Sequence, residues 1–376
     1  MEKINLLVVY QVIMHYRVPF YRKMQKDEQL NFSILYGEGK PGTKLVNANL
    51  DNLELNREKV PGFRIDFKGN SFPFSPLLAF RLFRKNPQVI LAEGSSSIIN
   101  GTIAFFYAKI FHKKFIWWSL GQLEGKKHNA IRRLISKWEH IIEKNADAIF
   151  TYSTKGKKYF LSRGIEEDKI FVGVNVLDAE SRIKENKEAN EINFPWTNKF
   201  NIVFIGTITK EKNLELVIDA LSVLNVDQDK FVFHIIGDGK HRDNLENYIK
   251  YKLVSENSVI FHGRINKGGG KIMEKCDLML LPGLGGLAIC EGMICSLPII
   301  TGNADGTEYD LVDEGNGFIF PDMTVDDIVK TIKLLHNNPA ITKELGANSY
   351  KKITEEFTFN NYYASFKSAL NFVIKK

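Results

Sequence analysis

The sequence predicts an α/β protein built from two Rossmann-like, doubly wound domains. Short apolar and β-branched runs alternate with helical patterns in both halves of the chain, which is typical of parallel sheets covered by helices on both faces. The chain has 376 residues, enough for two domains that each bury a core. Hydrophobic residues make up 44% and charged residues 25% of it, so a disordered or fibrous chain is excluded.

Twelve strands are predicted, six in each half of the chain. In the first half they cover residues 4–10, 32–35, 89–92, 115–118, 148–151 and 170–173. In the second half they cover residues 200–206, 231–237, 258–261, 278–281, 298–301 and 317–320. We therefore expect one domain over residues 1–175 and a second over residues 200–355.

Two segments lie outside this alternation. Residues 178–193 are polar and charged without apolar periodicity, so residues 176–199 are predicted to link the domains. Residues 356–376 are predicted to form one aromatic-rich helix that packs back on the N-terminal domain. Its apolar residues recur at near-helical spacing: Phe357, Phe359, Tyr362, Tyr363, Phe366, Leu370 and Phe372.

Charge is divided unevenly along the chain. Residues 1–175 carry 28 Lys and Arg against 16 Asp and Glu, whereas residues 176–376 carry 23 against 28. The net charge of +7 is thus +12 in the first half and −5 in the second. Such asymmetry indicates an anionic partner for the first half: nucleic acid, an anionic membrane surface or a phosphorylated substrate. Nucleic acid is disfavoured, because neither a helix-turn-helix signature nor an RNP-type motif occurs.

The cysteine pattern and the apolar runs indicate a cytoplasmic protein. Cys276, Cys290 and Cys295 form neither a disulfide framework nor a zinc motif. We find no signal peptide and no run of about 18 apolar residues, so no membrane span is expected. Asp227-Gln-Asp229 matches a DxD metal motif, but its place in a helix-to-strand loop favours a solvated turn.

The first strand does not carry a dinucleotide fingerprint. No glycine occurs before residue 37, so GxGxxG is absent, and residues 267–271 lack the P-loop spacing. His15 and Arg17 follow the strand instead, at the edge where doubly wound sheets bind ligands. Their alternative role is only to cap the next helix. Glu93 ends another strand and is a further polar candidate, with a structural role as its alternative.

Glycine-rich strand ends mark the second half as an anion-binding domain. Gly206 ends its first strand and Lys212 precedes the next helix, an arrangement suited to a diphosphate. Residues 280–293 place one proline and three glycines before a helix that carries Glu291. A carboxylate there can accept hydrogen bonds from vicinal hydroxyls such as those of a ribose. The alternative for Lys212 and Glu291 is an ordinary solvated side chain.

Taken in order, these motifs resemble the C-terminal domain of glycosyltransferase family 4, the glycosyl transferases group 1 enzymes of GT-B fold. The matching segments are Gly206 to Lys212, Gly237-Asp-Gly239, His262-Gly-Arg264, the glycine loop with Glu291, and residues 296–301 and 313–318. The first half resembles one branch of the family through residues 15–21, 117–121 and 146–153. The resemblance therefore spans nearly the whole chain.

This resemblance implies two domains that face a cleft, with a nucleotide-sugar donor on the C-terminal domain and the acceptor on the N-terminal domain. It also implies retention of anomeric configuration, with no metal, no cofactor and no protein nucleophile. The catalytic candidates are Lys212, Glu93 and His15, and the acceptor-binding candidates are Arg17 and Gly121. The donor-binding candidates are Gly206, Thr207, Lys212, Gly237, Arg264, Ile265, Gly283, Gly285, Gly286, Leu287 and Glu291.

Two positions depart from the family pattern. Thr207 stands where a basic residue usually helps hold the diphosphate, and Gly283 replaces the first glutamate of the E-x7-E motif. The favoured function is a retaining hexosyltransferase acting on a glycan or lipid-diphosphate-linked acceptor in bacterial surface polysaccharide synthesis. The departures leave open a nucleotide-sugar-binding pseudoenzyme that supports a partner glycosyltransferase. A third alternative is a GT-B nucleotide-sugar epimerase, for which we locate no acid/base set.

Two basic amphipathic segments predict attachment to a membrane surface. Residues 126–144 and 75–85 mix large apolar and basic residues at helical spacing. The alternative is that both helices only pack on the sheet. Because a neutral sugar acceptor does not explain the +12 excess of this half, we expect peripheral binding to the anionic inner face of the membrane.

Overall fold

The computed structural model describes residues 2–40, 45–51, 53–67, 70–94, 97–121, 130–225, 230–265 and 267–375. The chain divides into two compact units, Met1–Gly173 with Tyr362–Lys376, and Val174–Asn361. Each unit contains one large parallel sheet with helices between its strands. All twelve predicted strands are present, with ends within two residues of the prediction. The predicted doubly wound α/β class is therefore confirmed.

The first unit begins with β1. Its strands are β1 (Ile4–Tyr10), β2 (Leu30–Tyr36), β3 (Arg57–Lys59), β4 (Phe63–Phe67), β5 (Asn70–Phe74), β6 (Val89–Glu93), β7 (Lys114–Trp118), β8 (Ala148–Thr151) and β9 (Ile170–Val172). Its first helices are α1 (Val18–Lys26), α2 (Leu78–Lys85), α3 (Ile98–Ile110), α4 (Ala130–Asn145) and α5 (Thr154–Ser162).

Seven of these strands form a parallel sheet in the order β3-β2-β1-β6-β7-β8-β9. The central strands are continuous apolar runs, and all five residues of β6 are buried, because helices cover both faces of such a sheet. The strand order reverses between β1 and β6. Ligands of doubly wound proteins bind beyond the carboxyl ends of the strands at such a reversal point.

The sequence analysis did not predict three strands of this unit. β3 lies at the edge of the large sheet, and β4 and β5 form a separate antiparallel hairpin. Phe63, Ile65 and Phe67 of β4 alternate with polar residues, and this period of two is the signal that could have revealed the strand. All three side chains are exposed.

The second unit repeats the parallel design. Its strands are β10 (Phe200–Ile205), β11 (Phe231–Ile236), β12 (Val259–Gly263), β13 (Leu278–Leu281), β14 (Ile299–Thr301) and β15 (Gly317–Ile319). Its helices are α6 (Ala179–Glu188), α7 (Glu215–Leu224), α8 (Arg242–Tyr251), α9 (Gly270–Met273), α10 (Ala288–Ile294), α11 (Glu308–Leu311), α12 (Val325–Asn337) and α13 (Pro339–Lys351). The sheet order is β12-β11-β10-β13-β14-β15, and it reverses between β10 and β13.

The segment predicted as a linker differs from that prediction. Asp178 caps α6 by accepting a hydrogen bond from the backbone N of Ser181. The helix belongs to the second unit and packs on α10. Its polar residues suggested a solvated connection because the sequence does not reveal the ion pairs that Arg182 forms within this unit.

The last helix, α14 (Phe359–Lys375), completes the core of the first unit. The ring centroids of Tyr362 and Phe366 lie 4.9 and 5.4 Å from that of Phe20. The Asp27 carboxylate accepts hydrogen bonds from the Tyr363 hydroxyl at 2.7 Å and the Lys367 ammonium at 2.9 Å. Within the described ranges, no helix is both long and apolar enough to cross a membrane.

Candidate active site

The predicted donor-binding residues gather at the carboxyl edge of the second sheet. Gly206 follows β10, Gly237 follows β11, Arg264 follows β12 and Gly283 lies just after β13. Parallel strands bring their carboxyl ends to one edge, and here the strand order also reverses. These residues thus lie where doubly wound sheets bind ligands.

The loops after β10 and β11 touch through their backbones. A Cβ on Gly237 would lie 1.8 Å from the carbonyl O of Gly206, and a Cβ on Gly239 would lie 2.2 Å from that of Ile208. Gly237 also has a φ of +147°, which residues with side chains rarely adopt. Because only glycine fits, this edge offers main-chain groups to which a ligand can come close.

Lys212 connects the loops on either side of the reversal point. It ends a short 3-10 turn after β10, and only 8% of the residue is exposed. Its ammonium group donates a hydrogen bond to the carbonyl O of Leu284, in the glycine loop after β13. Since an ammonium group has three N–H donors, Lys212 can bind this loop and an anion at the same time.

The backbone around Gly283 explains the missing glutamate. A Cβ at this buried position would lie 2.1 Å from the carbonyl O of Glu211 and 2.8 Å from the Cα of Lys212. The turn that carries Lys212 therefore occupies the space that a side chain would need. In this chain the departure from E-x7-E is a packing requirement. Thr207, the other departure, is half-buried.

Glu291 forms an ion pair that the sequence analysis missed. Its carboxylate lies 2.8 Å from Nη2 of Arg182 in α6, and Arg182 also pairs with Glu185 at 2.9 Å. Burial raises the pKa of Glu291, whereas the adjacent guanidinium favours the charged carboxylate and opposes that rise. Charged carboxylates make the stronger hydrogen bonds to hydroxyl groups. No sequence motif pointed to Arg182, because its helix lies far from Glu291 along the chain.

The remaining donor-binding candidates differ in exposure. Gly285 is buried, whereas Gly286 and Leu287 are half-buried just before α10. Gly286 has a φ of +56°, so the turn itself favours glycine. Arg264 is exposed and Ile265 is half-buried after β12. Arg264, Gly286 and Leu287 therefore present accessible groups at this edge.

His262, from the His-Gly-Arg motif, is half-buried and pairs with the buried His234. Nδ1 of His234 lies 3.0 Å from Nε2 of His262, and its Nε2 lies 3.0 Å from Oδ1 of Asn201. Burial, together with the neighbouring His262, lowers the pKa of His234 to about 3. Burial lowers the pKa of His262 as well. The His234 ring is thus neutral at neutral pH and contributes to the core of the unit.

Acid should destabilise the second unit through His234. An unfolded histidine has a pKa of about 6.5, so between pH 6.5 and about 3 the unfolded chain binds a proton that folded His234 excludes. Stability that is present above pH 6.5 is therefore lost as the pH falls, by about 3 kcal/mol at pH 4. We expect His234→Gln to reduce this loss, measured as the change in urea-unfolding free energy between pH 7 and pH 4. Equal losses in both proteins would contradict the assignment.

The first unit carries its own polar groups at a reversal point, between β1 and β6. Glu93 is 8% exposed, and its Oε2 accepts a hydrogen bond from the backbone N of Gln11 at 2.9 Å. This bond joins the end of β6 to the loop after β1. His15 is exposed in the turn that follows. The structure brings Glu93 and His15 to one sheet edge, with Glu93 also making a structural contact.

Arg17, an acceptor-binding candidate, is instead enclosed in the core. It is 3% exposed, and its Nη1 donates a hydrogen bond to the Tyr362 hydroxyl at 2.8 Å. The rings of Tyr16, Trp118 and Tyr152 surround the guanidinium, with centroids 5.2, 4.5 and 4.9 Å from Cζ. Such cation–π contacts stabilise a buried cation. This enclosure disagrees with the expected acceptor contact, because almost none of the residue reaches solvent.

Gly121, the second acceptor-binding candidate, has a conformational reason to be glycine. Its φ is +82°, and a Cβ there would lie 2.7 Å from the ring of Tyr159.

Within the part of the chain that the structure describes, no group of three His, Cys, Asp or Glu side chains is placed to hold a metal ion. Asp227 and Asp229 lie outside the described residues.

Comparison with known sequences identifies the second unit. Residues 185–352 match the family model described as "Glycosyl transferases group 1". The chain is 26% identical to the uncharacterized glycosyltransferase MJ1178 of Methanocaldococcus jannaschii, over 56% of this chain and 61% of that protein. It is 25% identical to an uncharacterized 41.2 kDa protein in the cps region of Klebsiella pneumoniae, over 61% of this chain and 64% of that protein. The matches thus span a little under two thirds of the length of these relatives.

Comparison with solved structures covers both units. The crystal structure of Anabaena Alr3699/HepE in complex with UDP covers 98% of this chain and 100% of its own, with a TM-score of 0.75 and 16% identity. The complex of the same protein with UDP-glucose gives a TM-score of 0.71 at 16% identity, over 97% and 99% of the two chains. At this identity the likeness shows the fold. Residues 185–352 thus match the glycosyl transferases group 1 family model, and the two units of the chain have the GT-B fold.

Proposed function

We propose that the protein is a retaining, metal-independent hexosyltransferase. It moves a sugar from a nucleotide-sugar to a glycan or lipid-diphosphate-linked acceptor in the synthesis of a bacterial surface polysaccharide. The observation that carries this proposal is the joint position of Lys212, the glycine loop and Glu291 in the second unit. The Anabaena complexes with UDP and UDP-glucose support a uridine nucleotide as donor. The relative from the Klebsiella cps region supports a role in polysaccharide synthesis.

The proposed reaction exchanges one bond at the anomeric carbon for another. The bond from this carbon to the donor diphosphate breaks, and the acceptor oxygen bonds to the same face of the sugar. The acceptor proton passes to an oxygen of the leaving diphosphate. Negative charge grows on that diphosphate, and the Lys212 ammonium and the backbone N–H groups of residues 285–287 stabilise it. Glu291 accepts hydrogen bonds from the ribose hydroxyls and fixes the nucleotide.

The lack of a side chain at Gly283 limits which groups can contact the donor sugar. Because this position has no room for a side chain, no carboxylate extends from it toward the donor sugar. We propose that main-chain groups of residues 283–287 select the sugar instead. On the first unit, Glu93 and His15 are the proposed groups of the acceptor side.

The proposed transfer is tested by incubating the protein with UDP-glucose and a farnesyl-diphosphate-linked sugar. We expect release of UDP that depends on the acceptor, and an α-linked product identified by its proton NMR coupling. Thr207 and Gly283 favour the alternative of a nucleotide-sugar-binding pseudoenzyme. That alternative predicts binding of UDP-glucose in a thermal-shift assay without release of UDP.

We further propose that the first unit binds the inner face of a membrane. In α4, Arg133 and Lys137 are exposed, and Lys126 and Lys127 of the same basic segment lie outside the described residues. In α2, three cations, Arg81, Arg84 and Lys85, share the single carboxylate of Glu58, which leaves an excess of positive charge. Basic residues near an anionic leaflet contribute about 1 kcal/mol each.

This attachment predicts sedimentation with anionic vesicles. The protein should sediment with phosphatidylglycerol vesicles at low salt, stay in solution with phosphatidylcholine vesicles, and be released by salt because the attraction is screened. Exposed cations carry the effect, so Arg133→Gln with Lys137→Gln should weaken it. If the protein stays in the supernatant with anionic vesicles at low salt, the membrane proposal fails and a water-soluble acceptor is preferred.

A further inference from the structure

The first unit contains an apolar groove that the proposed chemistry does not use. It has a volume of about 710 Å³ and lies between β5, α3 and α4. Ile99 and Ile103 line it from α3, and Leu134, Ile135 and Trp138 line it from α4. None of the described residues that line it is acidic. Trp138 Nε1 donates a hydrogen bond to the Thr102 hydroxyl at 2.8 Å, which satisfies the polar atom of that indole.

Exposed apolar side chains pack against residues that line this groove. Among the described residues, 22 large apolar side chains are exposed, and 11 of them lie between Phe63 and Ile141. Phe106, 47% exposed, lies against Trp138 with ring centroids 5.8 Å apart. Phe63, 56% exposed, lies 5.4 Å from Phe74, which also lines the groove. Exposed apolar side chains beside an apolar groove are typical of a binding site.

The position of the groove relates it to the acceptor side of this unit. α3 follows β6, and its first residue, Ile98, lies five residues after Glu93 and lines the groove. α4 follows β7, so both helices begin at the carboxyl edge and run away from it. From Ile131 to Ile141 the groove follows α4 for about 15 Å, at 1.5 Å per residue. One end of the groove therefore lies at the edge that carries Glu93 and His15.

We propose that this groove holds the hydrocarbon chain of a lipid-diphosphate acceptor. A chain lying in it would bring its diphosphate-linked sugar to the Glu93 edge. The charges fit an anionic amphiphile, because Arg133 is exposed near the start of α4, on the side of the Glu93 edge, and Lys137 lines the groove further along the same helix. A partner protein could also cover an apolar groove, but it would not account for a groove with one end at the acceptor edge. This inference rests on the proposed transfer function and names the class of its acceptor.

Farnesyl diphosphate is the probe for this groove, with binding measured by calorimetry in detergent-free buffer. In Leu134→Glu the new carboxylate repels both the chain and the diphosphate, and the side chain is 69% exposed, so the fold should tolerate the change. We expect its affinity for farnesyl diphosphate to fall at least about tenfold. The matched control is Leu161→Glu in α5, exposed in the same unit but outside the groove, which should bind normally. Inorganic pyrophosphate should bind much more weakly than farnesyl diphosphate.

Three results would overturn the assignment. The first is an equal affinity of wild type and Leu134→Glu for farnesyl diphosphate. The second is binding of pyrophosphate as tight as that of farnesyl diphosphate. The third is full displacement of farnesyl diphosphate by phosphatidylglycerol vesicles. The last would make the groove a general phospholipid site. Binding of the donor separates a failure of the groove assignment from a failure of the proposed transfer function. UDP-glucose should bind wild type and Leu134→Glu equally. If the protein binds UDP-glucose but not farnesyl diphosphate, only the groove assignment is contradicted. If it binds farnesyl diphosphate but not UDP-glucose, the proposed transferase function is contradicted.

Discussion

Replacing Lys212 with alanine should lower the turnover number for sugar transfer about 100- to 1,000-fold, the usual effect of removing one group that stabilises a developing anion. In the proposed reaction the Lys212 ammonium faces the growing charge of the leaving diphosphate, and Thr207 supplies no second cation. It also holds the glycine loop through the Leu284 carbonyl. The measurement is the initial rate of UDP release at saturating donor and acceptor.

The matched control for this change is Lys210→Ala. Lys210 lies in the same 3-10 turn as Lys212, but it is exposed. Loss of a solvated lysine should leave the turnover number within about twofold, since surface charges contribute little. Equal losses in the two variants would show that the whole turn, rather than the Lys212 ammonium, matters. An unchanged rate in Lys212→Ala would remove the lysine from the mechanism.

Glu291→Ala should weaken donor binding about 10- to 150-fold, corresponding to the loss of about 1.5–3 kcal/mol from hydrogen bonds to a charged carboxylate. The nucleotide would lose the acceptor for its ribose hydroxyls, whereas the diphosphate contacts would stay. Calorimetric titration with UDP measures the effect without turnover. Thermal unfolding should show that the variant still folds.

Glu185→Ala tests the ion pairs of Arg182 separately from the proposed ribose contact of Glu291. Glu185 binds the same Arg182 guanidinium at 2.9 Å, so its removal disturbs that cation while leaving Glu291 in place. We expect UDP affinity to change less than about threefold in this variant, in line with the small contribution of a partly exposed ion pair. If both variants weaken UDP equally, the carboxylate of Glu291 acts only by orienting Arg182.

The strands and the main site motifs could be predicted because their signals are local. Val89–Ala92 is a continuous apolar run, and a strand buried on both faces requires one. Lys212 and Glu291 became candidates because glycine-rich loops follow predicted strands, and parallel topology brings those loops to one edge. The candidate side chains thus follow from the sequence pattern, and the sheet edge that they share follows from the order of the strands along the chain.

The contacts that could not be predicted join residues far apart in the sequence. Arg182 lies in a polar segment, and only the packing of α6 on α10 shows that it meets Glu291. Arg17 was expected at a binding surface because it follows the first strand, at the edge where doubly wound sheets bind ligands. In this chain, aromatic rings and the Tyr362 hydroxyl surround it instead. The clash that excludes a side chain at Gly283 likewise depends on a distant segment, the turn Lys210–Lys212.

The position of α14 affects the order in which the protein can fold during its synthesis. The rings of Tyr362 and Phe366 pack on Phe20 and Phe150, yet the ribosome makes them only after the entire second unit. The second unit can therefore finish folding first, although it is translated later than most of the first. Until α14 emerges, Phe20 and Phe150 lack their partners, and the nascent first unit exposes apolar surface of the kind that chaperones bind.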